Sequence, residues 1–262
     1  MTVWFPLSAV VLSACMAGAW GLQRMTGNSG WVDAVWSFSI GLAGVLLALL
    51  PGVTVRSAVV AGLIALWAVR LGAHIAHRSF TGPEDARYAA LRTEWGAGFQ
   101  GRLFWFLQIQ AVAAALLTLS MGLAAGNPDP FPRVQDIVGL AVLVVAILGE
   151  GAADAQLRRF KADPAAKGRV CDAGLWGLSR HPNYVFEWLG WFAYPLLAID
   201  PGRLDWAWLA LTGPAFMYWL LVHVSGIPLL EKQMLRSRGE AYVAYQRRVG
   251  AFFPYFNKGA DR

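Results

Sequence analysis

The chain has 262 residues, 57% of them hydrophobic and only 15% charged, with a formal net charge of +6. Charged residues are nearer a quarter of an ordinary soluble domain, so this composition excludes a water-soluble globular enzyme and points to a polytopic all-α membrane protein. Cys15 and Cys171 lie far apart, with no CxxC and no paired histidine, which excludes a disulfide framework and a zinc site; no metal ligand set is expected.

Apolar runs predict seven transmembrane helices in one domain over residues 1–262, at about 5–23, 31–50, 57–77, 103–122, 136–156, 184–200 and 206–229. Turn chemistry separates them: TGNSG at 26–30, LPG at 50–52, GNPDPFP at 126–132 and IDPG at 199–202. The first basic residue is Arg24, so the start does not read as a cleaved signal peptide. Eighteen of the 22 Lys and Arg residues fall in the first, third and fifth connectors and the tail. The even connectors hold only Arg56, Arg133 and Arg203, and Arg70 lies within the third span. Basic residues stay on the cytoplasmic side, so the N-terminus is expected outside and the C-terminus in the cytoplasm. The +6 charge then reflects topology and contact with anionic lipid rather than nucleic acid.

Ionisable residues inside spans face the bundle interior or a wet cavity. Here they are Asp33, Arg70, His74, His77, Glu150, Asp154, Glu187 and His223, most of them toward the cytoplasmic ends. Two segments extend this polar set. In EGAADAQLRRFK, residues 150–161, Glu150, Asp154, Arg158 and Lys161 recur at helical spacing on one face. In GRVCDAGLWGLSRHPNYVFEW, Arg169 and Arg180 supply guanidinium forks suited to phosphate. Pro182 opens a helix whose first N–H groups favour an anion, and His181, Asn183, Tyr184 and Glu187 stand beside it. Glu231, Arg236, Arg238, Glu240, Tyr242 and Tyr245 follow the last span. GxGxxG and GxxxxGK[ST] are absent, so a nucleotide here would use neither a Rossmann nor a P-loop cradle.

The pattern G-L-W-x-L-S-R-H-P-N-Y-x-x-E, with the tail E…R-G-x-x-Y-x-x-Y-Q…F-x-P, resembles the bacterial branch of the steroid 5α-reductase family, integral-membrane reductases of the DUF1295 type. The resemblance covers most of the chain and is densest over residues 150–254, the expected cofactor-binding part. It implies a seven-helix bundle in the bacterial inner membrane, with NADPH reached from the cytoplasm. It also implies reduction of a 3-oxo-Δ4 steroid, or another enone lipid entering from the bilayer, with no protein partner. Carried over by position, the cofactor contacts fall on Asp154, Lys161, Arg169, Asn183, Glu187, Trp191 and Glu231, and the family's other asparagine is replaced by Glu150. Arg158, Arg180, His181, Tyr184, Arg238, Tyr242 and Tyr245 complete the expected cofactor set. On the substrate side the family's Gln-Glu pair falls on Asp33 and Ala34. Its Tyr-Phe-His-Arg falls on Ile75, Ala76, His77 and Arg78, so the tyrosine is missing. Asp33 and His74 are the expected catalytic pair: Asp33 donates to the ketone if protonated, or orients His74 if ionised. RHPxY also occurs in sterol reductases and in isoprenylcysteine carboxyl methyltransferases, and an S-adenosylmethionine-dependent methyltransferase is the alternative. A transporter would carry two related halves, and no internal repeat is present.

Overall fold

The computed structural model describes residues 4–82, 84–202 and 205–254. Arg203, Lys258 and Arg262, counted above with the topogenic charges, lie outside the described residues. Among the described residues the structure is helical, and six stretches are long and apolar enough to cross a bilayer: Trp4–Thr26, Trp31–Leu49, Val55–Thr81, Arg87–Ala125, Val134–Ala162 and Trp206–Arg238. The chain packs as two compact units, residues 1–139 with 194–216, and residues 140–193 with 217–262.

The first unit is built on α1 (Trp4–Thr26), α2 (Trp31–Leu49), α3 (Val55–Thr81), α4 (Ala86–Trp95) and α5 (Phe99–Ala125). Helix α2 packs on α1, α3 and α5, and its composition explains how. Lipid is as apolar as a leucine core, so membrane helices associate where small residues let backbones approach. A β-carbon at Gly41 would overlap Ala68 of α3, and one at Gly44 would lie 2.6 Å from the Met121 sulfur of α5. Ser37 donates back to the Asp33 carbonyl at 2.9 Å, which satisfies its buried hydroxyl within the helix. Between α1 and α5, Ser13 donates to Gln108 Oε1 at 2.6 Å.

One end of this unit is held by buried ions. Thr54 and Ser57 form a capping box at the start of α3. Next to it, Arg56 is 2% exposed and grips fully buried Asp136 with both terminal nitrogens, at 2.7 and 3.0 Å. Its terminal nitrogens also donate to the carbonyls of Leu197 at 2.9 Å and Pro130 at 3.2 Å. Arg133 adds a second cation, donating to Asp136 Oδ1 at 2.9 Å, Asp129 at 2.7 Å and the Leu197 carbonyl at 2.8 Å. Asn127 donates to the carbonyls of Leu197 and Ala198, both at 2.9 Å. The last carbonyls of a short helix have no partner inside it, and here arginine and asparagine side chains supply one.

The second unit takes α6 (Val134–Ala162) from Leu140 onward, α7 (Pro182–Trp191), α10 (Ile227–Arg238) and α11 (Glu240–Arg248). Helix α7 lies close on α6 because Gly149 has no side chain: a β-carbon there would overlap the Phe186 ring. Phe252 packs edge to face on both Trp188 and Tyr218, with Trp188 and Phe252 centroids 5.6 Å apart.

The apolar run at 184–200, expected as one span, is divided between α7 and α8 (Ala193–Ala198). Pro195 explains the break. A proline removes the hydrogen bond to the carbonyl four residues back, here Trp191, and its ring crowds that carbonyl. The following stretch is likewise segmented: a 3-10 turn at Trp206–Leu211, α9 (Thr212–Trp219), a π turn at Leu220–Val224, then α10. Pro182, Pro195, Pro214 and Pro228 all stand near the start of a helix, where a missing N–H costs nothing.

Candidate functional site

In the second unit the segment Asp172–Tyr184 is pinned between α6 and α11. Gln156 of α6 accepts from the Leu175 N–H at 3.0 Å, and Trp176 donates its indole N–H to the Ala153 carbonyl at 3.0 Å. From the other side, Tyr245 donates to the Trp176 carbonyl at 2.5 Å, and the Arg180 N–H donates to the Gly250 carbonyl at 2.9 Å. Arg248 pairs with Asp172 at 2.8 Å.

Glu231, in the second turn of α10, organises the centre. One oxygen accepts from Arg180 Nε at 2.7 Å and lies 3.2 Å from His181 Nε2; the other accepts from Gln246 at 2.8 Å. Arg180 also donates to the carbonyls of Gln246 and Val249. His181, 5% exposed, ends the loop at the first residue before α7, and its ring stacks on Tyr184 with centroids 5.6 Å apart. In the first turn of α7, Asn183 reaches Asp154 of α6 at 3.4 Å. A turn further, buried Glu187 accepts from the Trp191 indole at 3.0 Å.

The cofactor set expected from sequence is therefore divided by environment. Arg180, His181 and Glu231 meet, Asp154 meets Asn183, and Glu187 meets Trp191. Tyr242 and Tyr245 are 2% exposed and pack with Val249 under α10. Burial pushes both phenols well above the ordinary tyrosine range, and for Tyr242 the Glu231 charge adds to it, so both remain protonated donors. Arg158, Lys161 and Arg169 are exposed, and Arg238 is half-buried in the last turn of α10. Gln246, the glutamine of the Y-x-x-Y-Q tail but not among the expected site residues, completes the Glu231 cluster.

In the first unit Asp33, at the start of α2, has two donors from the segment before α5. Tyr88 donates to Oδ1 at 2.9 Å, and Arg87 pairs with Oδ2. Arg87 is held in turn by Asp85, through Nε at 2.9 Å. Burial works to raise the Asp85 pKa, but hydrogen bonds and charge from Arg87, with Arg78 adding, hold it below the usual carboxylate range. Nearby Arg92 pairs with Glu84 at 2.8 Å, and Glu84 accepts from Ser29 at 2.7 Å. His74, the expected partner of Asp33, has an exposed side chain. In the sequence Arg87 counts only among the topogenic charges, and Tyr88 is not singled out. The acidic and basic run EDAR, in a chain this poor in charge, was the available signal.

A family profile described as a protein of unknown function, DUF1295, matches residues 19–249. An uncharacterized protein of Schizosaccharomyces pombe is 27% identical over 272 residues, covering 90% of this chain and 75% of that protein. No solved structure matches.

Proposed function

The chain belongs to the DUF1295 family, and from that premise we propose that it is an NADPH-dependent membrane reductase acting on the C=C bond of an enone lipid such as a 3-oxo-Δ4 steroid. The observation that carries this reading is the SRHPNY segment, clamped by Glu231 and Gln246, with exposed cations on α6 and in the loop that follows it. Such a frame suits a phosphate-bearing ligand. The clamp fixes the segment from inside, and Arg158, Lys161 and Arg169 are exposed to grip phosphate. In this reading the span count is seven, with α7 and α8 together as the sixth, and the C-terminus is cytoplasmic. The count of basic residues by side supports that orientation. Arg56 and Arg133, on the sparsely basic side, are neutralised by Asp136 and Asp129.

When bound, the cofactor supplies a hydride for the β-carbon. The protein must bind it and must stabilise the charge that develops on the ketone oxygen. Asp33 accepts from Arg87 and Tyr88, so its carboxylate is placed as an acceptor that orients donors. We therefore assign the donor to the Tyr88 hydroxyl, whose single proton rests on Asp33 Oδ1 and would turn from it to the ketone oxygen of a bound substrate, in place of the pair Asp33 and His74. One oxyanion donor contributes about 2.7–4 kcal/mol to the transition state. Tyr88→Phe is expected to lower kcat by about 100-fold or more in reduction of a 3-oxo-Δ4 steroid, followed by loss of enone absorbance, while NADPH still stabilises the variant against heat. Unchanged kcat in Tyr88→Phe would remove Tyr88 from this role. Absence of turnover in the wild type with any enone lipid would remove the reductase reading.

A further inference from the structure

We propose that the face of α5 next to the α4–α5 turn holds one anionic phospholipid, with its phosphate on Arg102 and an acyl chain along Trp105 and Ile109. A groove of about 550 Å³ runs there, lined by Trp95, Gly98, Gly101, Arg102, Trp105 and Ile109, with Phe106 at its side. Residues 98, 102, 105 and 109 recur at the spacing of one helix face, so the groove is a stripe along the membrane-crossing helix. From Arg102 to Ile109 that stripe is about 10 Å long, the depth of a headgroup and the first carbons of a chain.

Three observations choose the occupant. The walls are apolar except at one end, where Arg102 lies back over Gly98, its Nε 3.6 Å from where a β-carbon would stand. Arg102 is exposed and forms no ion pair with a carboxylate among the described residues. A lone cation at the end of an apolar trough is the complement of a molecule with one anionic end and a hydrocarbon body. The groove is also wide open, with Trp105 and Ile109 each 68% exposed, as befits a ligand that arrives sideways within the bilayer. Finally, Gly101 lines the groove and a β-carbon there would meet nothing within 4 Å, so a larger side chain at that position would project into the open space.

The test is native mass spectrometry of the full-length protein released from micelles containing equal phosphatidylglycerol and phosphatidylcholine of matched chains. A surface arginine contributes about 1 kcal/mol toward an anionic lipid, or about fivefold. The wild type is expected to retain phosphatidylglycerol over phosphatidylcholine by about that factor. Arg102→Gln is expected to retain the two equally, and Gly101→Leu, which fills the trough with a better helix former, to shed both. Equal retention by the wild type, or an unchanged preference in Arg102→Gln, overturns the proposal. Displacement of the lipid by free glycerol phosphate would reassign Arg102 to a soluble anion. A wild-type dimer that Gly101→Leu converts to monomer would reassign the groove to self-association. None of these readouts depends on reductase activity.

Discussion

Asp136→Ala is expected to destabilise the protein by about 3–5 kcal/mol, the cost of leaving a buried charge without its partner. The reason is the placement of Arg56. Its guanidinium is 2% exposed, and Asp136, fully buried, is its counter-charge. The carbonyls of Leu197 and Pro130 would still accept from it, but they carry no net charge. Arg133 would be left facing the same site, so two cations would meet with only Asp129 between them. Thermal unfolding in one detergent checks this. A buried ion pair contributes little against well-packed apolar residues of similar volume. The double variant Arg56→Met with Asp136→Leu is therefore expected to recover more than half of the loss. A double variant that is no more stable than Asp136→Ala would show that the carbonyl contacts, rather than the charges, hold this end together.

Glu231→Ala is expected to have the largest effect on ligand binding. One carboxylate organises Arg180, His181 and Gln246, and its side chain is only 14% exposed. Its removal leaves Arg180 without a counter-ion beside two buried tyrosines and frees the loop before α7 from α10. The expected loss is about 3 kcal/mol of stability, the low end for a buried pair because this one is not wholly enclosed. Glu231 acts by positioning, so its variant should raise the KM for NADPH more than it lowers kcat. Glu231→Gln, which keeps one acceptor oxygen and loses the charge, should fall between alanine and wild type. An alanine variant with wild-type KM would mean that the clamp has no part in binding.

The sequence made the bilayer crossings legible because a membrane tolerates little ambiguity: spans must be apolar and about 20 residues long. Helix ends moved by a few residues, as at 103–122, where α5 runs Phe99–Ala125. The break between α7 and α8 was not read, although Pro195 announced it, because hydropathy averages over a proline while backbone hydrogen bonding does not. The division of the chain into two units left no mark either, since its first boundary falls inside α6, where no linker composition is needed. Among site residues, Arg180, His181 and Glu231 are each legible from their chemistry, but their association joins positions 50 residues apart, which helical spacing cannot report. Asp33 was singled out because an acid inside a span needs a partner. Its partners Arg87 and Tyr88 lie 54 and 55 residues away, a pairing that helical periodicity cannot report. Arg56 and Arg133 were counted by side of the membrane, and only packing reveals them as a neutral, buried staple.

Side-by-side titration of purified protein with NADPH and S-adenosylmethionine tests the identity of the cofactor most directly. A ligand that binds only the folded state adds about 2.7 kcal/mol at 100 times its Kd, which a melting curve resolves. The expected result is a rise in Tm with NADPH, none with S-adenosylmethionine, and loss of the NADPH effect in Glu231→Ala. A rise with S-adenosylmethionine alone would contradict the reductase reading and make the SRHPNY segment part of a methyl-transfer site.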